Sequence, residues 1–210
     1  NTGRPPAFIP PTTKTRWFPE RMIMRLGNLL IIMALFFVSL PETKSIERIL
    51  FIGNSITFNP PSPGEPYFWT GAWGENASAA HLDYVHQVWA GVAAHQGSAP
   101  DMKLARMIFS EDLDVSVIDG YQPQLIIFQW GEAAPYDMDQ TWWDAIYLAI
   151  KQAADRVGAK VVVVGMWGTH EIRDKENKLR DAALGAEMIY VSILDLHKPR
   201  TTEMCAGLHP

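Results

Sequence analysis

The sequence predicts an α/β domain, a parallel sheet covered by helices on both faces, and three observations carry that expectation. Short apolar runs alternate along the chain with segments of helical spacing, the pattern of strand–helix–strand units. The runs are continuously apolar rather than alternating, as strands buried on both faces must be, and Val161-Val162-Val163-Val164 is the clearest of them. The 210 residues are 48% hydrophobic and 20% charged, which suits one domain with a sizeable core.

The first strand is expected at Arg48-Ile49-Leu50-Phe51-Ile52-Gly53, a run that ends on glycine and opens into a turn holding Asn54 and Ser55. A loop rich in Pro, Gly and Trp follows from Asn59 to Asn76, long enough to be functional or mobile. Helical spacing returns from Ala79 to about Ala94, with Tyr84, Val85, Val88 and Val92 able to share a face. Leu104 to Phe109 reads as the second strand, Glu111 to about Ile118 as a short helix, and Gln124 to Gln129 as a stronger strand. The next helix runs from about Thr141 to Val157, with Ile146, Leu148 and Ile150 inside and Gly158 as its stop. Lys160 to Gly165 is a central strand, Ile172 to Leu184 a helix with exposed charges, and Met188 to Ile193 the last strand.

The two ends read differently. Residues 1–21 begin at Asn1 and are broken by Pro5-Pro6 and Pro10-Pro11, a disordered leader; translation starting at Met22 or Met24 would place it upstream of the natural protein. Residues 22–41 place Arg25 before the apolar run Leu29–Leu40, the order of a secretory signal. The run is short of the roughly 20 apolar residues a membrane span needs, so export is expected and a membrane partner only through an N-terminal anchor. The globular part occupies residues 46–210. It stops at Leu208-His209-Pro210 without a closing helix or strand, so truncation at the C-terminus is the expectation.

Charge and cysteine content exclude several classes. With 18 Lys+Arg against 23 Asp+Glu the net charge is -5, so no electrostatic grip on nucleic acid is expected. The single cysteine, Cys205, excludes an internal disulfide framework and a zinc site of the Cys-x-x-Cys type. His81, His86 and His95 lie on or beside one helix without a cluster of carboxylates and histidines, so His86 reads as a packed or capping residue and no metal is assigned. No glycine-rich phosphate loop follows the first strand.

Ligands of open parallel sheets bind beyond the carboxyl ends of the strands. The residues there are Gly53-Asn54-Ser55, Ser110-Glu111, Gly131-Glu132 and Met166-Trp167-Gly168. Ser55 taken alone reads as a turn or cap residue. With a histidine to remove its proton it becomes a nucleophile. A Gly-x-Ser-x-Gly elbow is absent. Trp69, Trp73, Trp130 and Trp167 suit either core packing or an aromatic platform for a sugar. His170 and Glu171 suit a solvated loop or a cleft lining.

Ile49-Leu50-Phe51-Ile52-Gly53-Asn54-Ser55-Ile56-Thr57 resembles the first block of the SGNH (GDSL-like) hydrolases, and Leu208-His209-Pro210 resembles the His-Pro of their last block. Gln129-Trp130-Gly131-Glu132 stands where the third block would. The resemblance spans about Arg48 to Pro210 and includes Trp69 to Gly74 and Asp83 to His86, which are similar to a mostly uncharacterised bacterial branch. It implies a three-layer, flavodoxin-like sheet and hydrolysis of an ester, often an acyl or acetyl group on a sugar or lipid, with no cofactor. Ser55 would attack and His209 would act as base, with Ser55, Ser110 and Gly131 forming the oxyanion hole and Asn54 and Glu132 supporting them. The implied partner is a small-molecule or glycan ester.

Three departures from the family pattern stand out. Ala133 replaces the asparagine of the third block, and loss of one oxyanion donor costs on the order of 3 kcal/mol in the transition state. No glycine stands near Phe109-Ser110-Glu111, where the second block belongs. Ala206 replaces the acid three residues before the histidine, so a dyad results unless Glu203, Glu132 or Asp195 orients the ring. These departures favour a competing reading, a glycan-binding module that kept the fold and lost turnover. A flavodoxin-like cofactor binder ranks last, because Asn54 to Thr57 is a weak phosphate cradle.

Overall fold

The computed structural model describes residues 45–58, 74, 80–167 and 172–194. All belong to one compact unit, residues 42–210. Five parallel strands form the sheet: β1 (Arg48–Gly53), β2 (Asp101–Arg106), β3 (Leu125–Gln129), β4 (Lys160–Val164) and β5 (Ile189–Val191). Their order is β2-β1-β3-β4-β5. Helices α1 (Tyr84–Gln96), α2 (Ser116–Tyr121), α3 (Gln140–Val157) and α4 (Arg173–Gly185) fill the crossovers.

Successive side chains of a strand point to opposite faces, and each face of this sheet has its own cover. Leu50, Ile52, Ile126, Phe128, Val161 and Val163 share one core with Ile118 of α2, Ile146 and Ile150 of α3 and Leu179 of α4. Phe51, from the opposite face, meets Tyr84 of α1 edge-on at 6.3 Å. Val85, Val88 and Val92 of α1 are buried as well. The expected three-layer, flavodoxin-like α/β fold with helices on both faces is therefore present. Burial on both sides explains why β1 and β3 read as unbroken apolar runs.

Several boundaries differ from the sequence expectation. The second strand begins three residues earlier than expected, pairing Arg48 with Asp101 through Gly53 with Arg106. It lies at the sheet edge with half-exposed side chains, so its apolar residues are too sparse to mark its start. The helix expected from Ala79 is divided into a 3-10 turn, Ala80–Leu82, and α1, because Asp83 caps the latter. The short helix after β2 likewise becomes a 3-10 turn, Ser110–Asp112, followed by α2.

Leu148 corrects the expectation that it packs inside: it is 49% exposed, while Ile146 and Ile150 are buried. Two positions turn a helix by about 200°, so Leu148 must face away from both neighbours. Gly158 ends α3 in the left-handed conformation, φ 73°, as expected of a C-cap glycine. Helix α4 carries most of its charges outward, yet Lys175 and Glu176 are buried. Among the described residues no helix is long and apolar enough to cross a membrane. The leader and the signal-like run, residues 1–41, lie outside the described residues.

Candidate active site

The chain leaves β1 towards β2 on one side while β3 lies on the other, so the crossovers diverge at the carboxyl ends of β1 and β3. Ligands of open parallel sheets bind at such a divergence. Gly53 pairs with Gln129, which brings the segments after them, Asn54-Ser55 and Trp130-Gly131-Glu132, to the same sheet edge.

Ser55 follows β1 in a turn closed by Thr57 N–H donating to the Asn54 carbonyl at 2.7 Å. Its φ is 32°, a left-handed value that non-glycine residues avoid. Among the described residues only Gln122 and Glu187 share this property outside glycine. Gln122 is the C-cap of α2 and Glu187 follows the C-cap of α4, where left-handed backbone is ordinary. Ser55 has no such helix-ending role. Holding a residue in such a region costs about 1–3 kcal/mol and is a feature of functional sites.

The surroundings explain how the turn is held. Thr57, 1% exposed, contacts the Tyr84 hydroxyl at 2.8 Å and donates towards the Gln129 carbonyl and Oε1 at 3.3 and 3.2 Å. Gly53 is required beneath it, since a Cβ would overlap the Gln129 carbonyl oxygen and the Thr57 hydroxyl. Asn54 Oδ1 accepts from Arg106 Nε at 3.3 Å, which ties the turn to the end of β2. On the other side, Gly74 lies so close to the Ile56 carbonyl that no side chain would fit, and its N–H donates to Asp83 at 3.1 Å.

Gly131 starts the 3-10 turn Gly131–Ala133 after β3. It is buried against Met166 and Leu179 so closely that a Cβ would overlap both. The Ala133 N–H donates to the Trp130 carbonyl at 3.3 Å. Ser110 begins the turn after β2, and Asp112 accepts from the N–H groups of Ile108 and Phe109 at 3.2 and 2.8 Å. The Ser110 hydroxyl donates to Glu111 at 3.0 Å. Trp130 joins these two segments by donating from Nε1 to the Ile108 carbonyl at 3.3 Å. It is 1% exposed and packs on Trp142 and Trp143, so it belongs to the core and not to a sugar platform.

Glu132 points its carboxylate inward. Gln129 Nε2 donates to both of its oxygens at 2.8 and 2.7 Å, and Trp167 N–H donates to one of them. Burial pushes this carboxyl above the usual carboxylate range, the N–H donors oppose that rise, and the negative charge of Glu176 adds to it. Lys175 donates to the Glu132 carbonyl at 3.1 Å and lies 4.5 Å over the Tyr136 ring. Burial lowers the Lys175 ammonium, and the charge of Glu132 partly restores it.

His209, Glu203, Asp195, Cys205, Ala206, Trp69, Trp73, His170 and Glu171 lie outside the described residues. Among the described residues no group of three His, Cys, Asp or Glu side chains could hold a metal ion. His86 lies at the cap of α1, in keeping with the expected packed or capping role. Buried Asp83 accepts from His86 N–H at 2.7 Å and contacts its Nδ1 at 2.8 Å. The pair caps α1 and holds Gly74 against the serine turn. An Asp opening a helical segment was the available sequence signal for it. Thr57 and Gln129 were also missed as site residues; the signal for Gln129 was an amide ending an otherwise apolar strand.

No family model matches the sequence, and no curated protein matches it. The chain is similar to the solved structure of TesA, at 13% identity over 68% of this chain and 76% of that one, with a TM-score of 0.47. It is also similar to the psychrotrophic esterase EstA from Pseudoalteromonas sp., in a structure inhibited by monoethylphosphonate: 9% identity, 70% and 77% coverage, TM-score 0.46. A protein assigned to the G-D-S-L lipolytic family, from Desulfitobacterium hafniense, gives 15% identity, 70% and 77% coverage and a TM-score of 0.45. At such identities the likeness concerns the path of the chain alone.

Proposed function

We propose that this chain is an exported serine ester hydrolase acting on acyl esters, such as acetyl esters, of carbohydrate or lipid. The observation that carries the reading is Ser55 itself: a serine in left-handed backbone at the carboxyl end of β1, at the switch point of the sheet. In this reading Ser55 Oγ attacks the ester carbonyl carbon while His209 takes the hydroxyl proton. The N–H groups of Ser55, Ser110 and Gly131 stabilise the oxyanion. Collapse of the tetrahedral intermediate breaks the bond to the alcohol oxygen, which leaves with the proton from His209. Water then attacks the acyl-serine by the same route in reverse and frees the acid. The donor lost at Ala133 makes this a slower enzyme than one carrying the asparagine.

Release of p-nitrophenol from p-nitrophenyl acetate by the full chain tests the reading. Turnover that disappears in Ser55→Ala is the expected result; equal rates for the two proteins would contradict it. The observation favouring the second reading, a glycan-binding module, is Ala133. Glycan binding that survives Ser55→Ala, in a parent without turnover, would establish that reading instead.

A further inference from the structure

We infer that Gln129 and Thr57 are positioning residues for the Ser55 nucleophile, acting through a polar chain whose direction is fixed by Glu132. The inference rests on the esterase reading. The chain runs from Tyr84 through Thr57 and Gln129 to Glu132 and the Trp167 N–H, crossing beneath the carboxyl ends of β1, β3 and β4.

Its direction follows from donor and acceptor capacities. Gln129 Nε2, an NH2 donor, lies 2.8 and 2.7 Å from the Glu132 oxygens, which accept from it. Oε1 of Gln129 therefore faces Thr57 and needs a donor, and it takes the Thr57 hydroxyl proton at 3.2 Å. Thr57 has one proton, shared between Oε1 and the Gln129 carbonyl at 3.3 Å. Its 2.8 Å contact with Tyr84 is then one in which Tyr84 donates. Every member has one role, and each bond polarises the next.

Stability alone does not require a polar chain here. Thr57 and Gln129 are 1% and 2% exposed, and an apolar pair of similar shape would avoid burying three polar side-chain groups. What the chain adds is a fixed distance between the serine turn and the third block. Thr57 closes the turn that contains Ser55, while Gln129 leads directly into Trp130 and Gly131. The nucleophile and the proposed oxyanion donor Gly131 are thereby held in one geometry.

The test is the kinetics of fluorophosphonate labelling at Ser55 in the full chain, resolved into a binding constant and a maximal rate, with the melting temperature as control. The variants are Thr57→Val, Thr57→Ser, Gln129→Met and Tyr84→Phe. A misplacement near 1 Å loses about 100-fold in rate, so Thr57→Val and Gln129→Met are expected to lower the maximal rate by about 10- to 100-fold with the binding constant unchanged. Thr57→Ser, which keeps the hydroxyl, is expected to label at the wild-type rate. A folded Thr57→Val or Gln129→Met labelled as fast as the wild type would overturn the inference and leave the serine reading intact. If neither folds, Tyr84→Phe decides: slower labelling supports the chain, and an unchanged rate overturns it. Absence of labelling in the wild type would overturn the serine reading and this inference together.

Discussion

Gly53 and Gln129 face each other across the β1–β3 ladder, and the Gln129 carbonyl occupies the space where a Cβ on Gly53 would lie. This contact sets how closely the two site segments approach. Gly53→Ala would force the strands apart at the candidate active site, an overpacking that costs about 3 kcal/mol. Urea unfolding is expected to show that loss, together with loss of esterase turnover. A variant as stable as the parent would mean that the ladder yields at this point.

The left-handed backbone at Ser55 makes a prediction that reverses ordinary preferences. Gly normally costs stability relative to Ala because it has more freedom to lose on folding, but at φ 32° the Cβ penalty acts the other way. Ser55→Gly should therefore be more stable than Ser55→Ala by about 1 kcal/mol, both without turnover. Paired denaturant titrations of the two variants measure the difference. Equal stabilities would show that the turn stores no strain.

Glu132 predicts a pH dependence of stability. Its folded-state carboxyl is raised above its unfolded value, chiefly by burial, so the folded protein binds the proton more tightly. Stability then falls as pH rises from the unfolded value through the folded one. Glu132→Gln keeps one acceptor oxygen, the one that takes both Gln129 and Trp167, and cannot titrate. As pH rises above the ordinary carboxylate range, melting temperatures should decline less steeply for the variant than for the parent. Parallel profiles would remove Glu132 from the account.

His86 and His209 have different expected effects on turnover. His86 is bound to the capping residue Asp83, so His86→Gln is expected to retain turnover. His209→Ala, which removes the proposed base, is expected to lose about 1,000-fold or more in kcat. Steady-state hydrolysis by both variants checks the assignment, and the reverse pattern would move the base to α1.

Much of the fold was legible because central parallel strands must be apolar on both faces: β1, β3 and β4 stand within one residue of where their runs place them. The edge strand β2 was displaced because half-exposed positions carry no such signal. The backbone of the candidate site was legible, since Ser55 and Gly131 fall after predicted strands. Its polar support was not. No periodic pattern links Gln129 to Thr57; their bond spans 72 positions and exists only because β1 pairs with β3. Lys175 and Glu176 read as solvated charges because periodicity on α4 cannot show that Glu132 and the Met166 N–H wait opposite them.

The central claim is that Ser55 is an activated nucleophile, and intact-mass and peptide analysis after fluorophosphonate treatment of the full chain tests it most directly. A single adduct located on Ser55, absent from Ser55→Ala, is the predicted result. A folded protein that remains unmodified, or carries its adduct elsewhere, would contradict it.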